Sequence, residues 1–134
     1  MTTPARIAFI IVIMGLFASL FGCSRPGLVE GGLYYTRKEN GSYFVLKILK
    51  TDELGVHVRL YSNQFSEPPK RIDESTLYMA GIDRKPNEAL GMGHAPLSRK
   101  SFEGWKATFF QKSTVNAAEL DGYKMWLEAK GGYF

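Results

Sequence analysis

Between Leu33 and Tyr61 the chain alternates apolar and polar residues in segments separated by polar, turn-forming residues. A period of two is the mark of strands buried on one face. Asn40-Gly41 sits between two such segments, and this pair favours the two-residue type I′ hairpin loop, which needs positive φ at both positions. With that loop, Phe44 lies opposite Arg37, Leu46 opposite Tyr35 and Ile48 opposite Leu33. A second turn around Thr51-Asp52-Glu53 leads into Val56–Tyr61, whose apolar set is Val56, Val58 and Leu60. Placing that set beside Phe44, Leu46 and Ile48 requires a second loop of odd length, about three or five residues, because a one-residue slip turns every side chain over. The pattern therefore predicts a three-stranded antiparallel meander. Its opposite face carries Tyr34, Thr36, Lys38, Tyr43, Val45, Lys47, His57, Arg59 and Tyr61, where rings alternate with cations.

Downstream the strand signals shorten. Pro68-Pro69 closes the run from Asn63 to Glu67 as a loop, since proline does not fit inside a central strand. Thr76–Ala80 and Leu90–Ala95 read as short strands, with a turn over Asp83–Asn87 between them. Five short strands suit a small curled sheet or a partly open barrel.

Near the C-terminus the period changes to that of a helix. Asn116 followed by Glu119 has capping-box spacing, and Val115 with Leu120 has the spacing of a hydrophobic staple. Tyr123, Trp126 and Leu127 continue an apolar stripe toward the sheet. Gly131-Gly132 is the predicted stop, with Lys130 suited to the negative helix end. Gly122 within the helix implies a close approach to a neighbour. A shorter helix over 99–103 is predicted after Ser98 as cap, with Leu97 and Phe102 as its staple. Trp105–Phe110 reads equally as a strand or a packed crossover. The fold class is thus α+β: an antiparallel meander plus short strands, packed with a C-terminal helix.

The N-terminus follows a different pattern. Arg6 precedes an unbroken, mostly apolar run, residues 7–22, which ends in Leu20-Phe21-Gly22-Cys23. A basic start, an apolar core and a small residue before the cut make a secretory signal, and the run is short for a membrane-spanning helix. Leu20-Phe21-Gly22-Cys23 resembles the lipobox of bacterial lipoproteins. The resemblance covers about 23 residues. It implies acylation of Cys23, cleavage before it, and a stable anchor, because two or more acyl chains hold firmly where one does not. Ser24 stands where an inner-membrane retention signal has Asp, so the implied address is the outer membrane, facing the periplasm. On this reading residues 1–22 are the signal, 23–32 the lipidated cysteine and tether, and 33–134 one domain.

Composition narrows the chemistry. Cys23 is the sole cysteine, so a lipidated chain has no thiol left for a disulfide or a metal. Lys and Arg number 17 against 13 Asp and Glu, a net charge of +4, with the signs interspersed. Such mild basicity suits an anionic surface or an acidic partner, and the implied compartment argues against nucleic acid. Two histidines, His57 and His94, are the only neutral-pH acid–base candidates. His57 is expected among the Tyr/cation face, and His94 on a loop bonded to a carbonyl. No nucleophile elbow, phosphate loop or dinucleotide fingerprint occurs. Asp52-Glu53 and Asp73-Glu74 read as solvated turn residues. No catalytic residue, metal ligand or cofactor site is therefore predicted. The expected activity is binding, by a lipid-anchored module whose candidate face is Tyr34, Tyr43, Lys47, His57, Arg59 and Tyr61. Its expected partner is an envelope or secreted protein. A periplasmic immunity protein against an incoming toxin is the alternative, and a small hydrolase or lipid-handling protein is a third.

Overall fold

The computed structural model describes residues 27–134. Cys23 and the signal segment lie outside the described residues. Within them the chain is an α+β fold: β1 (Leu33–Arg37), β2 (Tyr43–Thr51), β3 (Gly55–Phe65), β4 (Met92–Ser98), α1 (Arg99–Gly104), β5 (Thr108–Gln111) and α2 (Asp121–Glu128). The five strands form one open antiparallel sheet in the order β4-β3-β2-β1-β5. The meander is present, and α2 packs as the C-terminal helix.

The register of the first hairpin differs from the expectation by one residue. Leu33 pairs with Lys47, Tyr34 with Leu46 and Thr36 with Phe44. The cause is the loop. Lys38 N–H donates to the Ser42 carbonyl at 2.8 Å and Gly41 N–H to the Lys38 carbonyl at 3.0 Å, so three residues turn the chain. Of the three loop residues, Glu39, Asn40 and Gly41, Gly41 alone has positive φ, at 87°. A type I turn followed by one left-handed glycine closes a three-residue hairpin, whereas type I′ needs two such residues. The extra residue turns β1 over. Tyr34 and Thr36 join the apolar face, and Leu33 and Tyr35 move to the other.

The second hairpin sets the β2 and β3 apolar rows side by side, as expected, with Leu46 opposite Leu60 and Ile48 opposite Val58. The loop is not of the expected odd length: Thr51 pairs with Val56 across four residues, and a one-residue register shift between Ile48 and Lys50 restores the placement of the apolar rows. At the turn, Asp52 Oδ1 accepts from the Leu54 and Gly55 amides, both at 2.8 Å. The main core forms on this face from Tyr34, Leu46, Ile48, Val56, Val58, Ala95, Leu97 and Phe102. Full burial of an aliphatic side chain contributes about 1.5–3 kcal/mol, so this cluster is the principal source of stability. Helix α1 closes it, with Ser98 as the cap accepting from Ser101 N–H and both staple residues, Leu97 and Phe102, in the core. Lys106, at φ 52°, then turns the chain into β5. Trp105–Phe110 is therefore a turn followed by an edge strand.

Two other expectations change. Thr76–Ala80 makes no ladder: Glu74–Thr76 is a 3₁₀ turn, and the extended residues after it touch β3 through single bonds such as Ser62 N–H to the Tyr78 carbonyl, 2.8 Å. The strand expected at Leu90–Ala95 runs instead over Met92–Ser98, where Pro96 is tolerated because β4 is an edge strand.

Candidate functional site: a buried polar seam

The second face of the sheet has a small apolar cluster, Leu33, Val45 and Tyr61, and beside it a run of polar residues. His57, Arg59 and Tyr61 follow one another along β3 at strand spacing, and Lys47 lies opposite Arg59 on β2. The C-terminal segment, residues 113–134, and the 3₁₀ turn at Glu74 supply partners to this seam. Lys47 and His57 have no solvent exposure, Tyr61 keeps 6% and Arg59 is half-buried. The expected open Tyr/cation face is thus largely covered.

Lys47 is the centre of one network. Its Nζ donates to Glu119 Oε1 and Oε2 and to Glu74 Oε2, all at 3.0 Å, so its three donors are matched. Glu119 is also the acidic member of the predicted capping box. Asn116 Oδ1 accepts from Glu119 N–H and Glu119 Oε1 accepts from Asn116 N–H, each at 3.0 Å. The box opens a 3₁₀ turn, Ala118–Leu120, which passes into α2. Arg59 Nη1 stands 3.7 Å from Glu119 Oε2, and Glu74 accepts from the Ser113 hydroxyl. Burial works to raise the Glu74 pKa, but the hydrogen bonds from Ser113 and Lys47 outweigh it and hold the carboxyl below its ordinary value. The Tyr61 phenol is pushed up to about 12, first by burial and then by the Glu119 charge.

His57 is the centre of the other network. Its Nδ1 lies 2.8 Å from His94 Nε2, and its Nε2 lies 2.9 Å from the Tyr133 hydroxyl. Tyr133 in turn donates to Asp52 Oδ2. Burial opposes ionisation of Asp52, yet the Tyr133 hydroxyl and the Gly55 and Leu54 amides prevail and lower its pKa. An ionised carboxylate only accepts, so the phenolic proton points at Asp52, and Tyr133 oxygen must accept from His57 Nε2–H. His57 Nδ1 is then an acceptor, and His94 Nε2–H donates to it. Proton positions follow in one direction, from His94 through His57 and Tyr133 to Asp52. Burial lowers the pKa of both histidines; for His57 the Asp52 charge opposes this, and for His94 the neighbouring His57 adds to it. Both imidazoles are therefore neutral at pH 7.

Aromatic rings close over His57: Trp126 at 4.5 Å, Tyr123 at 4.7 Å and Tyr133 at 5.2 Å between ring centres. The helical stripe thus covers the histidine, although Leu127 remains about half exposed. Gly122 permits the approach of α2, because a Cβ there would stand 2.6 Å from His94 Cβ. The helix ends with paired bonds from Gly131 N–H to the Trp126 carbonyl and from Lys130 N–H to the Leu127 carbonyl. Lys130 holds the left-handed position, at φ 52°, where the pattern placed a glycine.

Of the six candidate face residues, Lys47, His57, Arg59 and Tyr61 come together in the seam. Tyr43 is half-buried and stands edge-on to Tyr35 at 5.8 Å. Tyr34 lies on the opposite face, 4% exposed, where its hydroxyl accepts from Val29 N–H at 2.9 Å and its ring meets Phe109 at 5.5 Å. The flipped β1 register is the reason. His94 bonds to His57 and not to a loop carbonyl. Sequence reasoning missed Asp52, Glu74 and Tyr133 as members of these networks, and it saw Glu119 only as a cap. No buried side-chain polar atom among the described residues lacks a partner. Chemically, the arrangement locks the C-terminal segment onto the sheet; the hydroxyl bonded to a histidine there is that of Tyr133, which meets His57 Nε2 and gives its own proton to Asp52.

No protein-family pattern, curated protein or solved structure matches this chain.

Proposed function

We propose that the chain is a lipid-anchored binding module of the bacterial envelope, held by Cys23 at the outer membrane and working without catalysis on an envelope or secreted protein. The anchor rests on the lipobox-like leader. The observation that carries the binding reading is how the seam is used. Its titratable groups, Lys47, Glu119, Glu74, His57, His94, Tyr133 and Asp52, bond to one another. A general base needs a substrate proton within hydrogen-bond reach, and the ring cover over His57 leaves that imidazole none. Binding therefore falls to groups outside the seam.

The test uses the full chain expressed in a bacterium with an outer membrane. Wild type is expected to incorporate labelled palmitate and to fractionate with the membrane, and Cys23→Ala to do neither. Chemical crosslinking in the intact cell is expected to give one discrete protein adduct, retained in a folded His94→Gln variant. An envelope-substrate turnover that His94→Gln abolishes without unfolding would overturn the reading in favour of an enzyme.

A further inference from the structure

At the far end of the β1–β2 hairpin from the seam's histidines, the surface opens into a hollow of about 590 Å³, lined by Arg37, Lys38, Phe44 and Trp105 among others. A second hollow of about 360 Å³ shares Lys38, Phe44 and Trp105 with it and adds Arg84. The two form one depression around an aromatic pair, with Phe44 and Trp105 at 6.1 Å and edge to face. Thr36 fixes the pair in place by donating its hydroxyl to the Trp105 carbonyl at 2.6 Å. The Lys38 ammonium stands 5.5 Å over the Phe44 ring.

Three features set this place apart. The indole N–H of Trp105 has no partner among the described residues and is open to solvent, whereas Trp126 donates to the Gly132 carbonyl at 2.9 Å. The cations Arg37, Lys38 and Arg84 line the depression, and none makes an ion pair among the described residues. Of the two carboxylates there, Glu88 is occupied by the Tyr78 hydroxyl at 2.7 Å and the Lys85 amide at 3.0 Å. Glu39 and Glu88 set two negative charges against the three cations, so the rim keeps a net positive charge, and Glu88 is already engaged by its own hydrogen bonds. An aromatic floor with a free donor and a positive rim is complementary to a carboxylate-bearing segment with an apolar side chain, through charge, cation–π contact and burial.

We propose that the Phe44–Trp105 depression is a docking site for an acidic peptide segment carrying one aromatic or large aliphatic side chain. The apolar side chain packs on the Phe44–Trp105 pair, and the flanking carboxylates meet Arg37, Lys38, Arg84 and the Trp105 N–H. This deepens the binding-module reading and rests on it for the biological partner, but the site is defined by its own geometry.

The experiment labels the full chain, in detergent micelles, with 5-fluorotryptophan. It is titrated with the capped pentapeptide Glu-Asp-Phe-Asp-Glu while both fluorine signals are followed. The Trp105 signal is expected to shift saturably while that of Trp126 stays still. The Gln/Asn analogue of the peptide is expected to bind at least tenfold more weakly, and added salt to weaken the acidic peptide alone. Replacing exposed Arg37 and half-buried Lys38 together, Arg37→Glu and Lys38→Glu, is expected to reduce affinity at least tenfold with only a small change in the urea midpoint. Trp105→Phe, which keeps the platform and removes the donor, is expected to lose less than Trp105→Ala. Equal binding of acidic and neutral peptides, a shift at Trp126, or no shift at millimolar peptide would overturn the site. A Trp105 shift with phosphatidylglycerol vesicles and none with peptide would overturn it in favour of lipid. Failure of the peptide alongside a discrete cellular adduct would leave the binding-module reading standing without this site. Peptide binding without any adduct would do the reverse.

Discussion

The two faces of the sheet are held by different physics. Beneath α1, Leu46, Ile48, Val56, Val58 and Leu97 pack with Tyr34 and Phe102, and any apolar side chain of the right volume serves roughly as well. Beneath the C-terminal segment, Lys47 and His57 are equally buried, and each is tolerated only because specific partners meet it. A charge in the interior carries a desolvation cost that its ion pairs must offset. The first face supplies stability. The second specifies where the C-terminal segment docks, because only one placement brings Glu119 to Lys47 and Tyr133 to His57.

The contrast can be broken most strongly at Lys47. Lys47→Met strands Glu119 beneath the segment and is expected to cost about 3–5 kcal/mol, read as the urea midpoint. Adding Glu119→Gln, which keeps the capping box but removes the charge, is expected to recover a large part of that loss. On the apolar face Leu46→Ala is expected to cost about 2–5 kcal/mol, with no partner substitution that restores it. Comparable losses without rescue by Glu119→Gln would show that the seam is not held by charge. Gly122→Ala is a subtler probe. Overpacking against His94 costs about 1–3 kcal/mol, and the helix propensity gained returns about 1 kcal/mol, so a net loss is expected in thermal melts.

Acid distinguishes the faces as well. Because the folded state holds both histidines below their ordinary value near 6.5, the unfolded chain binds more protons as pH falls past that point. Stability is therefore complete above about pH 6.5 and declines as pH drops through the folded values. The lowered carboxylates, Asp52 and Glu74, add a further loss only nearer their own range, below about pH 4. Urea midpoints are expected to fall between pH 7.5 and 5, and a double His57→Gln, His94→Gln variant to show a flatter profile. The smallest change is at the helix end: Lys130→Gly removes a left-handed non-glycine residue and is expected to stabilise by about 1 kcal/mol.

The same division explains what could be read from the chain. The apolar face announces itself by period, so the meander, the side-by-side placement of the β2 and β3 apolar rows, the Ser98 cap and the Asn116–Glu119 box were all legible, whereas the register shift between Ile48 and Lys50 was not. The β1 register was not, because Asn40-Gly41 fits both a two-residue and a three-residue loop and only the backbone distinguishes them. That one residue moved Tyr34 out of the candidate face. The seam was illegible for a further reason. Lys47 finds Glu119 across 72 residues and Tyr133 finds Asp52 across 81, and no local pattern marks a residue as a distant partner. A cation alternating with tyrosines looks the same whether water or a helix covers it. The Phe44–Trp105 depression was hidden likewise, since it joins one end of β2 to the turn after α1.

The most direct test of the claim that the seam is closed on itself is long-range ¹H–¹⁵N correlation of the two histidines at pH 7. A locked chain predicts a neutral His57 protonated at Nε2 alone, with His94 protonated at its own Nε2, each a single slowly exchanging tautomer. Averaged tautomers, or imidazolium shifts at pH 7, would mean that water reaches His57 and that this face is open for binding after all.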